Sequence, residues 1–226
     1  MTVAELKAQI AADIDEDLGA PVYYTAAEQL AALNEAQQIF CLLTLCLETT
    51  APFTFIAGKP RYRLRGYLND FLLPLKVTVG GQRLKPARIN DLDALSDSWE
   101  ATPGTPARYA QLGFSYLAVT PQPTETTAGA ITYARSAAPL VDDSSEAEIP
   151  DDQQNALADY AYCYLRCKDG GAEAMQQCGD RLNRFIASCQ KLSKYVRARS
   201  QAGKYDRQPA ELSLIDLSRM VVKGNK

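Results

Sequence analysis

The chain has 226 residues, 46% of them hydrophobic and 23% charged, enough to bury a proper core as one large domain or two small ones. Its net charge of −3 supplies no overall basic field to recruit nucleic acid, and no apolar run approaches the ~18 residues that span a bilayer. Histidine is absent, which removes the commonest general base, the commonest zinc ligand and the usual partner of a Ser or Cys nucleophile.

From Thr2 to Leu18, Val3, Leu6, Ile10, Ile14 and Leu18 fall on one helical stripe, while Glu5, Asp13, Asp15, Glu16 and Asp17 make the other face acidic. The acidic cluster lacks the calcium-loop spacing and reads as a solvated or partner-facing surface. Gly19-Ala20-Pro21 ends this helix. No basic-then-apolar pattern opens the sequence, so the expectation is synthesis in the cytoplasm. Thr25-Ala26-Ala27-Glu28 is a capping box, and the helix it starts is expected to run to about Glu48.

A run of short β-type segments follows. Phe53–Ile56 and Arg61–Leu64 read as a hairpin around Gly58, and Leu75–Val79 with Gln82–Lys85 as a second around Gly80-Gly81. A short helix is expected from Ile89 to Trp99, then strands at Arg108–Gln111, Phe114–Val119 and Ala130–Arg135. The prolines at 103, 106, 121 and 123 read as strand boundaries. Trp99 with Tyr109 and Tyr116 reads either as an aromatic platform or, more plainly, as core packing. Asp142, Asp143, Glu146 and Glu148 read as an acid–base set or as a solvated loop. Gly80-Gly81 lacks a phosphate-loop signature and reads as a turn.

Ile149-Pro150-Asp151-Asp152 opens the next helix, which Asp169-Gly170-Gly171 breaks. The last long helix is expected from about Ala172 to Ala202, with Met175, Cys178, Leu182, Phe185, Cys189, Leu192 and Val196 as its seam. Its basic side carries Arg184, Lys191, Lys194, Arg197 and Arg199, which either face DNA phosphates or meet acidic residues within or between subunits. The six cysteines all fall in helical patterns and read as small buried apolar residues. Cys163 and Cys167 share a helix face and so could hold a metal, but neither a metal nor a disulfide framework is expected. Beyond Gln208, Leu212, Leu214, Ile215, Leu217, Met220, Val221 and Val222 put apolar surface in a terminal arm, which is costly to leave in water. Together these elements predict an α+β chain. Residues 1–52 and 150–203 form a helical bundle from N- and C-terminal helices, with a small antiparallel β module inserted at 53–149 and an extended C-terminal arm at 204–226.

Several pieces recur in a telling order. Thr25-x-x-Glu28-Gln29-Leu30-x-x-Leu33-Asn34-x-x-Gln37 comes first, then Tyr62-Arg63-Leu64, Asp70-Phe71-Leu72-x-Pro74 and Gly80-Gly81-x-Arg83-Leu84-x-Pro86. Trp99, Pro106-Ala107-Arg108-Tyr109, Pro121-Gln122-Pro123, Tyr133 and Ile149-Pro150 complete the set. Over residues 22–168 this resembles the head-to-tail adaptor (connector, head-completion) proteins of tailed bacteriophages. The resemblance implies a structural virion protein of the head–tail junction, not an enzyme, with no cofactor and no membrane. It implies a twelve-membered ring of copies beneath the portal protein, continuing the channel for double-stranded DNA and docking the tail or next connector protein. By analogy, Leu212, Leu214, Ile215, Leu217 and Met220 of the arm would bind the portal or another partner. Another tail, baseplate or tail-completion protein, or a hydrolase using the Asp142–Glu148 carboxylates, remain the other readings.

Overall fold

The computed structural model describes residues 1–14, 23–113, 115–168 and 172–199. The chain divides into two compact units, one of Met1–Cys46 with Ala137–Val196 and the other of Leu47–Ser136.

In the first unit, helices α1 (Val3–Ile14), α2 (Ala26–Thr44), α4 (Asn155–Arg166) and α5 (Ala172–Arg199) share one apolar interior. Val3, Leu6 and Ile10 of α1 are buried, as are Leu33, Ala36 and Phe40 of α2, Leu157, Ala161 and Leu165 of α4, and Phe185 of α5. The Phe185 ring meets Phe40 edge-on at 6.0 Å and Tyr160 at 5.0 Å, tying α5 to α2 and α4. The capping box forms as expected: Thr25 Oγ1 accepts from the Glu28 N–H and the Glu28 carboxylate accepts from the Thr25 N–H. The segment after Ala137 is laced to α2 by amide side chains. Asn34 both donates to and accepts from the Leu140 backbone, at 2.9 and 2.8 Å, and Gln37 donates to the Ala138 carbonyl at 2.8 Å.

Among the described residues, the second unit holds ten strands and one α-helix. Strands β1 (Glu48–Phe55), β3 (Phe71–Val79), β4 (Gln82–Arg83) and β10 (Thr127–Arg135) make an antiparallel sheet in the order β1-β10-β3-β4. Strands β2 (Arg61–Arg63), β5 (Lys85–Pro86), β7 (Arg108–Leu112) and β8 (Tyr116–Thr120) make another in the order β2-β8-β7-β5, and β6 (Pro103–Gly104) pairs with β9 (Gln122–Pro123). Period-two alternation buries both faces of the second sheet. Tyr109, Leu117 and Val119 join Phe55, Val77 and Ile131 in the main core, while Ala110 and Ala118 point the other way against Leu92 and Trp99. Leu92 belongs to α3 (Ile89–Leu95), which covers that second face.

The expected plan of a terminal helical bundle with a small antiparallel insert is therefore corrected. The chain is α+β, but the five α-helices among its described residues are spread along the sequence, α3 lies among the strands, and the described strands form three sheets. The β5–β7 and β6–β9 pairings are parallel. A longer connection brings the chain back in the same direction, as a short turn cannot: it runs through α3 for β5–β7 and through β7 and β8 for β6–β9.

Three local expectations fail with it. Helix α2 ends at Thr44, where Leu45 adopts a left-handed conformation (φ 52°) and Glu48 already pairs as a strand. Strands β1 and β2 form no hairpin; β1 pairs with β10 and β2 with β8, so the Gly58 loop passes between sheets. The β3–β4 hairpin does form, with Gly80 and Gly81 at φ 56° and 79°, the turn that fits twisted strands. The prolines are not all boundaries, since Pro103 and Pro123 lie inside the short parallel pair.

Candidate interaction surfaces

The Asp142–Glu148 carboxylates hold their own loop. Asp142 Oδ1 accepts from the backbone N–H and hydroxyl of Ser144 and of Ser145 at 2.8 to 3.0 Å, and the Ser144 hydroxyl first among these holds its pKa below the usual carboxylate value. A general acid needs the opposite shift. Asp143 pairs with Lys7 at 2.6 Å, and Glu148 accepts from the Ala138 N–H at 2.7 Å. The aromatic platform does not form. Trp99 is buried against Leu92, Ala110 and Ala118 with its indole N–H on Asp93 at 2.8 Å, Tyr109 sits in the other core cluster, and Tyr116 is exposed.

Charge is organised on the first unit. Arg181 of α5 ion-pairs with Asp13 of α1 and lies 3.4 Å from Asp159 of α4, which Arg184 also holds at 2.8 Å. The Arg181 guanidinium lies 4.1 Å from the centre of the Tyr162 ring. Its bond to Asp13 raises its pKa further, so it stays charged at any working pH. One acidic residue of the first helix and two basic residues of the last are thus satisfied within the chain. Farther along α5, Lys191, Lys194 and Tyr195 are exposed, and neither lysine meets a carboxylate among the described residues. The backbone of Arg197 and Arg199 is helical, but their side chains lie outside the described residues. So do the arm residues Leu212, Leu214, Ile215, Leu217 and Met220.

The second unit carries a surface that sequence reasoning missed. Phe53, Ile56, Tyr62 and Tyr67 line a groove of roughly 330 Å³, with Thr54, Lys59 and Arg63 on its rim. Phe53 meets Phe55, Tyr62 and Tyr67 edge-on at 5.1 to 5.5 Å. Alternation along β2 buries Tyr62 and turns Arg61 and Arg63 out, and Arg65 in the turn beyond it is exposed too. Arg61 is taken by Glu100, while Arg63 and Arg65 meet no carboxylate among the described residues. The outer edge of β1 runs alongside, unpaired by any strand among the described residues. Lys59-x-Arg61-x-Arg63-x-Arg65 was the available signal.

Two exposed patches, a carboxylate loop committed to its own turn and a core of ordinary packing make a surface for contacts. The SU10 adaptor protein family matches residues 1–207. The chain belongs to that family. No curated protein matches it. It is a structural adaptor of a bacteriophage and a virion component, in agreement with the resemblance to head-to-tail adaptors read from residues 22–168. The match takes in the described residues of both units and helices α1 to α5, and it stops before Leu212, the first apolar residue of the arm named above. No helix among its described residues is long and apolar enough to cross a membrane.

Proposed function

We propose that this adaptor works at the head–tail junction as a dodecameric ring beneath the portal protein, continuing the channel for double-stranded DNA and docking the tail or next connector. The observation that carries the reading is the family match across residues 1–207. The exposed lysines of α5 supply a basic patch for a different, acidic face of the neighbouring copy, the unlike pairing that a head-to-tail ring contact uses. In this reading Lys191 and Lys194, with Arg197 and Arg199, serve the contact between neighbouring copies, and DNA passes without sequence-specific contacts. Leu212, Leu214, Ile215, Leu217 and Met220 grip the portal, because apolar side chains in a terminal arm gain by leaving water.

The test is the mass of the complex formed with purified portal, read by native mass spectrometry. Twelve copies per portal ring are expected. Three or six copies, or no complex, would replace this reading with that of a tail or baseplate component. A chain ending after Tyr205 should keep its helical signal and lose the complex; an unchanged complex removes the arm from the contact.

A further inference from the structure

The groove of the second unit joins an apolar floor to a basic rim. Ile56 is 46% exposed and Tyr67 62%, so two large side chains stand in water beside the half-buried Phe53. The Lys59 ammonium lies 5.6 Å from the centre of the Tyr62 ring and Arg63 lines the same groove, so the cations border the apolar surface directly. Strand addition is blunted here. Pro52, in the middle of β1, has no N–H to offer, and the Tyr67 hydroxyl sits 3.5 Å from its carbonyl. What the groove can take is apolar side chains, and its rim favours a segment whose apolar residues lie among carboxylates.

The chain carries such a segment in its own arm. Glu211-Leu212-Ser213-Leu214-Ile215-Asp216-Leu217 sets four apolar residues among two carboxylates, with no cation between them. We propose that in the free adaptor this segment docks in the groove of its own chain, its apolar residues covering Phe53, Ile56 and Tyr67 while Glu211 and Asp216 meet Lys59, Arg63 and Arg65. Residues 200–210 join the end of α5 to Glu211. Fully extended, those residues reach about 36–40 Å, more than the ~30 Å diameter of a small domain. The tether makes the contact intramolecular, so it holds on dilution, whereas an exchange of arms between copies weakens. Docking takes the arm's apolar side chains out of water until a partner displaces them, and it keeps free copies from capturing one another. The inference concerns the adaptor before assembly and does not rest on a ring or portal contact.

Photo-cross-linking reads the contact in the full-length chain without portal. Two variants are made, Leu214→p-benzoylphenylalanine and Leu217→p-benzoylphenylalanine. Each is mixed with its nitrogen-15-labelled counterpart, irradiated, digested with trypsin and mapped by mass spectrometry. Both positions fall in the tryptic peptide of residues 208–219, while Ile56 and Tyr67 fall in those of residues 8–61 and 66–76. The expected product joins the arm peptide to Phe53, Ile56 or Tyr67 and carries a single isotope, as a link within one copy must. Arg63→Glu with Arg65→Glu removes no ion pair among the described residues and should lose most of this product at low salt. Adding Glu211→Lys with Asp216→Lys should restore it. A product of mixed isotopes, a link outside residues 53–67, no link from either position, or full yield in the charge-reversed chain would each overturn the proposal.

Discussion

Glu28 does two jobs at the start of α2. Its carboxylate accepts from the Thr25 N–H and from Lys168, both at 2.8 Å, and the Lys168 bond first, then the Thr25 bonds, hold its pKa down at about 2. In the unfolded chain the same group titrates near its ordinary value of 4.5, so between 4.5 and 2 the unfolded state binds more protons. Its contribution is complete above 4.5 and is lost as pH falls through 2. Replacing Glu28 with Gln should therefore lower the melting temperature at pH 7 slightly and flatten its decline between those two values. Melting curves across that range check it; an equally steep decline in the variant would show that the carboxylate carries no such linkage. Thr25-x-x-Glu28 was readable because a capping box is local chemistry over four residues. The Lys168 contact was not, since it joins positions 140 apart in sequence.

At the scale of elements, long-range pairing decides what local pattern leaves open. Phe53–Ile56 and Arg61–Leu64 carry the composition of a hairpin, yet each strand finds a better partner elsewhere. Thr50 of β1 meets Thr132 of β10 through their hydroxyls at 2.9 Å, and Tyr62 lies opposite Leu117. No window of a few residues around Gly58 could reveal either neighbour. Helix α3 and the β7–β8 strands were legible, but the parallel β5–β7 pairing that flanks α3 was not. Strand β10 shows how tightly this arrangement is fixed. A Cβ on Gly129 would lie 2.1 Å from the Thr78 carbonyl oxygen and 2.8 Å from the Phe55 ring, and the central position of β10 leaves the backbone nowhere to go. Gly129→Ala should cost about 2–3 kcal/mol in urea unfolding, the range of overpacked interiors. Gly179→Ala, in α5 with nothing within 4 Å, should instead gain about 0.5–1 kcal/mol, because only the helix-propensity difference remains. If both changes moved stability alike, the close approach at Gly129 would have no energetic meaning.

For the whole molecule, charge separation visible in the sequence resolves into two parts. The acidic first helix and basic last helix do meet within one chain, through Asp13 and Arg181, with Asp159 sharing Arg181 and Arg184. These partly buried contacts stabilise the first unit and are not available to a neighbour. Lys191 and Lys194 are, and an exposed cation with no carboxylate beside it is stabilised only when a partner supplies one. Reversing both, Lys191→Glu with Lys194→Glu, removes no internal contact, so the melting curve should stay within about 0.5 kcal/mol of the parent. Ring formation on the portal should weaken sharply at low salt, where like charges now oppose across the proposed contact between copies. Near 1 M salt the screening length falls to about 3 Å, so parent and variant should then assemble alike. Sedimentation of adaptor–portal mixtures across a salt series reads both arms of the prediction. Equal assembly at every salt concentration would remove these lysines from the subunit contact, and intact rings that fail to retain DNA would reassign them to the channel.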